Sequence, residues 1–114
     1  SGEKQRVLIA RSMMTKPEVL FLDESMTGLD LGAREQLVAS LAQLANDATS
    51  PAVVLVTHHV EEIPPGFGHV ALLAEGSVVA GGPIGEVLTA EALSETFGQS
   101  LMLERRSGRF RAWS

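Results

Sequence analysis

The chain has 114 residues and 45% hydrophobic content, enough for the core of one domain. It has no cysteine, which excludes a disulfide framework and thiolate chemistry and fits a reducing compartment. No apolar run approaches the ~20 residues of a membrane-crossing helix, and the net charge of −5 argues against a nucleic-acid-binding surface over the whole chain.

Residues 3–14 read as a helix. Val7, Leu8, Ile9, Ala10, Met13 and Met14 make it apolar over most of its circumference, which predicts extensive burial. Pro17 disfavours helical geometry at Lys16 and ends it. Residues 19–22 are an apolar run that stops at two adjacent carboxylates, Asp23 and Glu24. Such a run predicts a short strand buried on both faces, as in a parallel sheet. Asp30 suits the N-cap of a helix over residues 31–46, whose Leu37, Val38, Leu41, Leu44 and Ala45 form one core-facing stripe.

A polar turn at residues 46–51 leads to a second apolar strand, Ala52–Val56, which stops at Thr57 and His58. Strand, helix and strand make a βαβ unit with a right-handed crossover. Both polar ends then emerge at one edge of the sheet, where open α/β folds bind ligands. Beyond Pro64, Pro65 and Gly66, residues 69–74 and 77–80 form a hairpin about Glu75-Gly76. Gly81, Gly82 and Pro83 should break that strand, with Pro83 in the first turn of a helix over residues 84–88. A further short helix spans 91–97, and residues 101–113 form a terminal hairpin turning at Ser107-Gly108. Its Arg105, Arg106, Arg109 and Arg111 read as a solvated basic face rather than a nucleic-acid patch.

Several segments, in this order, carry a resemblance. The run Val19 to Glu24 resembles the Walker B strand of P-loop ATPases, and Ser1-Gly2-Glu3-Lys4-Gln5-Arg6-Val7 resembles the tail of the ABC signature. Thr27-Gly28-Leu29-Asp30 is similar to the D-loop, and Val56-Thr57-His58-His59 to the switch-histidine loop. Each is weak alone; four in the family's order and spacing identify the chain as a member of the ABC ATPases over residues 1–87. The resemblance implies an α/β fold: a partial P-loop NTPase (RecA-like) domain with mainly parallel core strands and a C-terminal hairpin region. A single partial domain over 1–114 is expected, with the signature helix, Walker B, D-loop and switch loop in 1–63 and hairpins and short helices in 64–114. The sequence contains no G-x-x-x-x-G-K-[ST] run, the loop that cradles β- and γ-phosphates. The expectation is therefore a carboxyl-terminal portion, inactive alone and part of an ATPase when complete.

By the same resemblance, Asp23 binds Mg²⁺ and Glu24 polarises the water that attacks the γ-phosphate of ATP. His58 contacts that phosphate. Ser1, Gly2 and Glu3 open a helix whose N-terminus faces the nucleotide of the opposite subunit, and Thr27 and Asp30 run along the dimer interface. Plainer readings stand beside these. Asp23 and Glu24 can be solvated acids at a strand end, His58 a histidine satisfied by backbone groups, and Asp30 a helix cap. His59 falls where the family more often has an acid, and reads as a surface residue. Ser25 replaces the usual proline and leaves the loop after Glu24 looser.

The function implied is the ATP-hydrolysing motor subunit of an ABC transporter. Its partners would be a second ABC ATPase domain and a transmembrane permease subunit, with no nucleic acid. It would lie in the cytoplasm, peripheral to the inner face of the cell membrane. The alternative is a soluble ABC-type ATPase acting on ribosomes or DNA, which Gly76, Gly82, Pro83, Glu86 and Val87 resemble less. A metal site made from His58, His59, Glu61 and Glu62 is a third reading, but their spacing gives no closed structural zinc set.

Overall fold

The computed structural model describes residues 2–14 and 17–114; within the first helix it describes the side chains of Lys4, Val7–Arg11 and Met13. Two compact units emerge, residues 1–66 and 67–114. In the first, the order is α1 (Gly2–Met13), β1 (Val19–Asp23), α2 (Leu31–Ala45), β2 (Ala52–Val56) and a 3-10 turn, Val60–Glu62. In the second it is β3 (His69–Ala74), β4 (Ser77–Pro83), α3 (Ile84–Val87), α4 (Ala90–Phe97), β5 (Met102–Arg106) and β6 (Arg109–Trp113). The geometry expected at Lys16 lies outside the described residues.

β1 and β2 pair in parallel, Val19 opposite Ala52 through Asp23 opposite Val56. Their connection is α2, which begins as the sequence predicts: the Asp30 carboxylate accepts the Ala33 N–H at 2.8 Å, a side-chain cap on an otherwise unsatisfied donor. Leu37, Val38 and Leu41 are buried while Leu44 is half-buried and Ala45 exposed, so the stripe is narrower than its sequence pattern. The helix ends at Asn46, whose side-chain amide donates to the Ala42 carbonyl. In the following turn the Thr49 backbone N–H and then its hydroxyl hold the Asp47 carboxyl below its ordinary value.

α2 packs on α1 and β2, but the β1–β2 sheet is covered on one face only. Leu20 is buried and Leu22, Val53 and Leu55 half-buried, whereas Val19 and Phe21 are 55% and 61% exposed and Val54 and Val56 share their bare face. The expectation of a strand buried on both faces is thus corrected: a parallel strand reaches that state only where helices cover both sides, and one helix lies here. α1 is corrected likewise. Ile9 is buried, but Val7, Leu8 and Met14 are exposed, because an apolar circumference is buried only when neighbours surround it.

In the second unit, β3 and β4 form an antiparallel hairpin. Glu75 and Gly76 both have positive φ, 51° and 77°, the geometry of a two-residue type I′ turn matched to strand twist. Ser107 and Gly108 repeat it at 52° and 76° between β5 and β6. β4 does not break at its glycines; it stays paired to Pro83 opposite His69. Gly82 sits at φ 143°, open to glycine, and Pro83 ends the strand where its missing N–H is not needed. Pro83 then stands at the N-cap of α3 rather than in its first turn. α4 is capped by the Thr89 hydroxyl accepting from Ala92 N–H and closes on left-handed Gly98.

An uncovered apolar face of this kind promotes association. Size-exclusion chromatography of the chain should show self-associated species, and Phe21→Thr combined with Val54→Thr should move the population toward monomer. A wild-type chain that elutes as monomer across a concentration series contradicts this.

Candidate functional site

The site begins where the two parallel strands stop. Asp23 is the last residue of β1, opposite Val56 at the end of β2. The next residue, Glu24, turns out of the sheet with φ 52°, a left-handed conformation that costs a non-glycine residue of order 1–3 kcal/mol and persists where surroundings enforce it. The enforcing contact is a backbone bond, Glu24 N–H to the Val56 carbonyl at 2.8 Å. Two tight turns follow, Thr27 N–H to Glu24 C=O and Leu29 N–H to Met26 C=O. Met26 anchors this loop by burying its side chain, and Gly28 supplies φ 82°, which a Cβ would strain. The loop is then handed directly to the Asp30 cap.

On the neighbouring strand, Thr57 and His58 continue from Val56. The His58 imidazole Nε2 lies 2.8 Å from Glu24 Oε1, so an N–H at Nε2 donates to the carboxylate. The side chains are 71% and 45% exposed, and at such exposure an ion pair contributes only about 0–1 kcal/mol. The contact is therefore informative as geometry: a carboxylate and an imidazole, distant in sequence, meet at the open edge of a parallel sheet. A carboxylate there can polarise a water and an imidazole can donate to an anion.

The positions singled out in the sequence fall as follows. Asp23, Glu24 and His58 gather at one edge; Thr27 is exposed in the loop and Asp30 caps α2. Ser1 lies outside the described residues, and of Gly2 and Glu3 only the helical backbone is described. His59 is exposed, with its backbone N–H bonded to the Thr57 hydroxyl at 3.0 Å. Among the described residues no three His, Asp or Glu side chains converge to enclose a metal ion, so His58, His59, Glu61 and Glu62 form no such cluster. Asp23 and the adjacent Glu24 both present exposed carboxylates at this edge.

Sequence reasoning missed the Val56 carbonyl that fixes Glu24, the burial of Met26, and the Thr57–Glu62 hydrogen bond beside His58. Only the last had a sequence signal, a hydroxyl residue opening a turn. The Ser25 hydroxyl is buried without a hydrogen-bond partner among the described residues. A buried unpaired hydroxyl costs about 1–3 kcal/mol. Ser25→Ala should therefore leave the thermal midpoint unchanged or raise it; a clear fall would reveal a partner for that oxygen.

No protein-family model matches the chain. It is 50% identical over 96 residues to an uncharacterised ABC transporter ATP-binding protein, YlmA, of Bacillus subtilis, covering 84% of this chain and 36% of that protein. It is 44% identical over 99 residues to a putative ABC transporter ATP-binding protein of Streptococcus mutans, covering 87% and 38%. The molybdenum import ATP-binding protein ModC of Aromatoleum aromaticum is 42% identical over 87 residues, covering 76% and 23%. The chain thus spans less than two-fifths of the length of these relatives. A solved structure described as an inward-facing conformation of a putative metal-chelate type ABC transporter superposes with a TM-score of 0.78 at 24% identity, over 97% of this chain and 44% of that one. The fold is α/β and superposes on part of that transporter structure.

Proposed function

We propose, from the premise that this chain belongs to the ABC transporter ATP-binding proteins, that it supplies the hydrolytic edge of an ATP-driven transport subunit. The observation that supports the reading is the Glu24–His58 pair, 2.8 Å apart at the end of parallel strands. Glu24 would accept a hydrogen bond from the attacking water, and the backbone bond to Val56 would hold its carboxylate in place. His58 would donate to the γ-phosphate. Asp23 would hold Mg²⁺ through water, and the metal would supply charge neutralisation on the phosphates.

The rest of the reading concerns a composite site. The amino end of α1, with Ser1, Gly2 and Glu3, would face a nucleotide on a second ATPase domain, where helix N–H groups favour anions. Thr27 and Asp30 would lie along the interface, and the Asp30 cap keeps that loop tied to α2. A permease subunit would choose the cargo, placing the assembly on the cytoplasmic side of the membrane. Among the described residues no helix is long and apolar enough to cross a bilayer. The second reading, an ABC-type ATPase working on ribosomes or DNA, predicts activity without any permease.

Two measurements test this. The first is isothermal titration of the 114-residue chain with Mg-ATP. Without a G-x-x-x-x-G-K-[ST] run the chain lacks the cradle for the β- and γ-phosphates, so binding should be weak; micromolar affinity would show a phosphate site elsewhere. The second replaces the matching 96 residues of the Bacillus subtilis relative with this chain and follows steady-state ATP turnover. Glu24→Gln keeps shape but removes the base, so turnover should fall roughly 10²–10⁴-fold with ATP still bound. His58→Ala should slow hydrolysis, and His59→Ala should stay within a few-fold of the parent. An inactive His59→Ala beside an active His58→Ala would reassign the loop.

A further inference from the structure

The turn that carries His58 is tied by a buried acid on which the roles above do not draw. Glu62 is the buried charged residue among those described, 7% exposed, at the end of the 3-10 turn Val60–Glu62. A carboxylate at such burial needs a donor, and Glu62 has one: Thr57 Oγ1 lies 2.5 Å from Glu62 Oε1. The same hydroxyl oxygen lies 3.0 Å from the His59 backbone N. A hydroxyl has one proton to give. Of the two acceptors in its reach the Glu62 carboxyl oxygen is the nearer, so the Thr57 proton points to Glu62 and the Thr57 oxygen receives the His59 N–H. The more distant His59 carbonyl, 3.5 Å from the hydroxyl, is the weaker acceptor.

The donor order therefore runs from the His59 amide through Thr57 to Glu62, and His58 is the residue enclosed between the two bonded positions. Its backbone is fixed on both sides while its side chain stays 71% exposed and reaches Glu24. We infer that Glu62, acting through the Thr57 hydroxyl, is a positioning residue that holds His58 against Glu24. The inference rests on the reading above only for what His58 does there; the placement itself is independent of nucleotide. Losing Thr57 strands the buried Glu62 carboxyl, and losing Glu62 takes the near acceptor from the half-buried Thr57 hydroxyl, so the two should behave as one unit.

The test uses the full 114-residue chain without nucleotide. Hydrogen exchange by mass spectrometry, on dilute protein, follows the peptide covering residues 57–63 against one from α2. Thr57→Val and Glu62→Ala should each speed exchange in the first peptide roughly fivefold or more, as loss of one buried bond implies, and leave the α2 peptide unchanged. Thr57→Ser and Glu62→Gln retain an acceptor and donor in place and should keep parental exchange within about twofold. With selectively labelled histidine, Glu24→Gln should shift the His58 ring resonances in the parent and in Thr57→Ser, but not in Thr57→Val, because there the ring has already left Glu24. Parental exchange in both disruptive variants, or an undiminished Glu24→Gln shift in Thr57→Val, overturns the inference. Should the disruptive variants unfold, exchange in Thr57→Ser and Glu62→Gln decides it: parental rates support it and loosened rates overturn it. Failure of ATP turnover in the chimera would bear on the role of His58 and leave these measurements untouched.

Discussion

The parallel register of β1 against β2 is the constraint on which the rest depends. Because Asp23 lies opposite Val56, the Val56 carbonyl is in place to accept the Glu24 N–H, and that bond holds Glu24 in a left-handed conformation. A one-residue slip would move every side chain of one strand to the other face. It would also separate Glu24 from His58. The register is set by the hydrophobic pattern: Leu20, Leu22, Val53 and Leu55 must share the covered face of the sheet. The chemical edge is thus positioned by the packing of residues that never touch it.

Rigidity at that edge comes from backbone bonds and caps more than from the ion pair. The Glu24–His58 contact is exposed and contributes little to stability. The Asp30 cap, the paired turns between Glu24 and Leu29, and the buried side chain of Met26 shape the loop. On the other strand, Thr57 and Glu62 do the same with a hydroxyl and a carboxylate. Both loops keep functional groups in water and hold them by local hydrogen bonds and by one buried side chain each, Met26 and Glu62.

Against that order stands the bare face of the same sheet. Val19, Phe21, Val54 and Val56 present apolar surface to solvent, although each lies in a strand whose other face is packed. The hydrophobic gain available to this unit is therefore only part of what its sequence offers. A sheet with helices on one side is half of a doubly covered layer. Its exposed face and its ordered polar edge are different consequences of the same parallel pair.

Much of this was legible in the sequence. The strand ends at Asp23 and at Val56-Thr57, the capped helix after Asp30, and the hairpins at Glu75-Gly76 and Ser107-Gly108 all follow from local rules, since capping, turn geometry and apolar periodicity act over a few residues. The motif order likewise pointed to the α/β fold. Burial could not be read this way: the apolar runs of α1 and β1 specify surface that prefers to be covered, and only the neighbours decide whether it is. Nor could the sequence announce that Glu24 would take positive φ, that Val56 would hold it, or that Thr57 and Glu62 would close the turn around His58. Those depend on which backbone atoms arrive opposite one another once the strands are paired, and pairing is a long-range choice made by packing. The residue types were determined by the chain alone; their meeting was determined by the tertiary structure, because distances between remote residues are fixed only when the sheet forms.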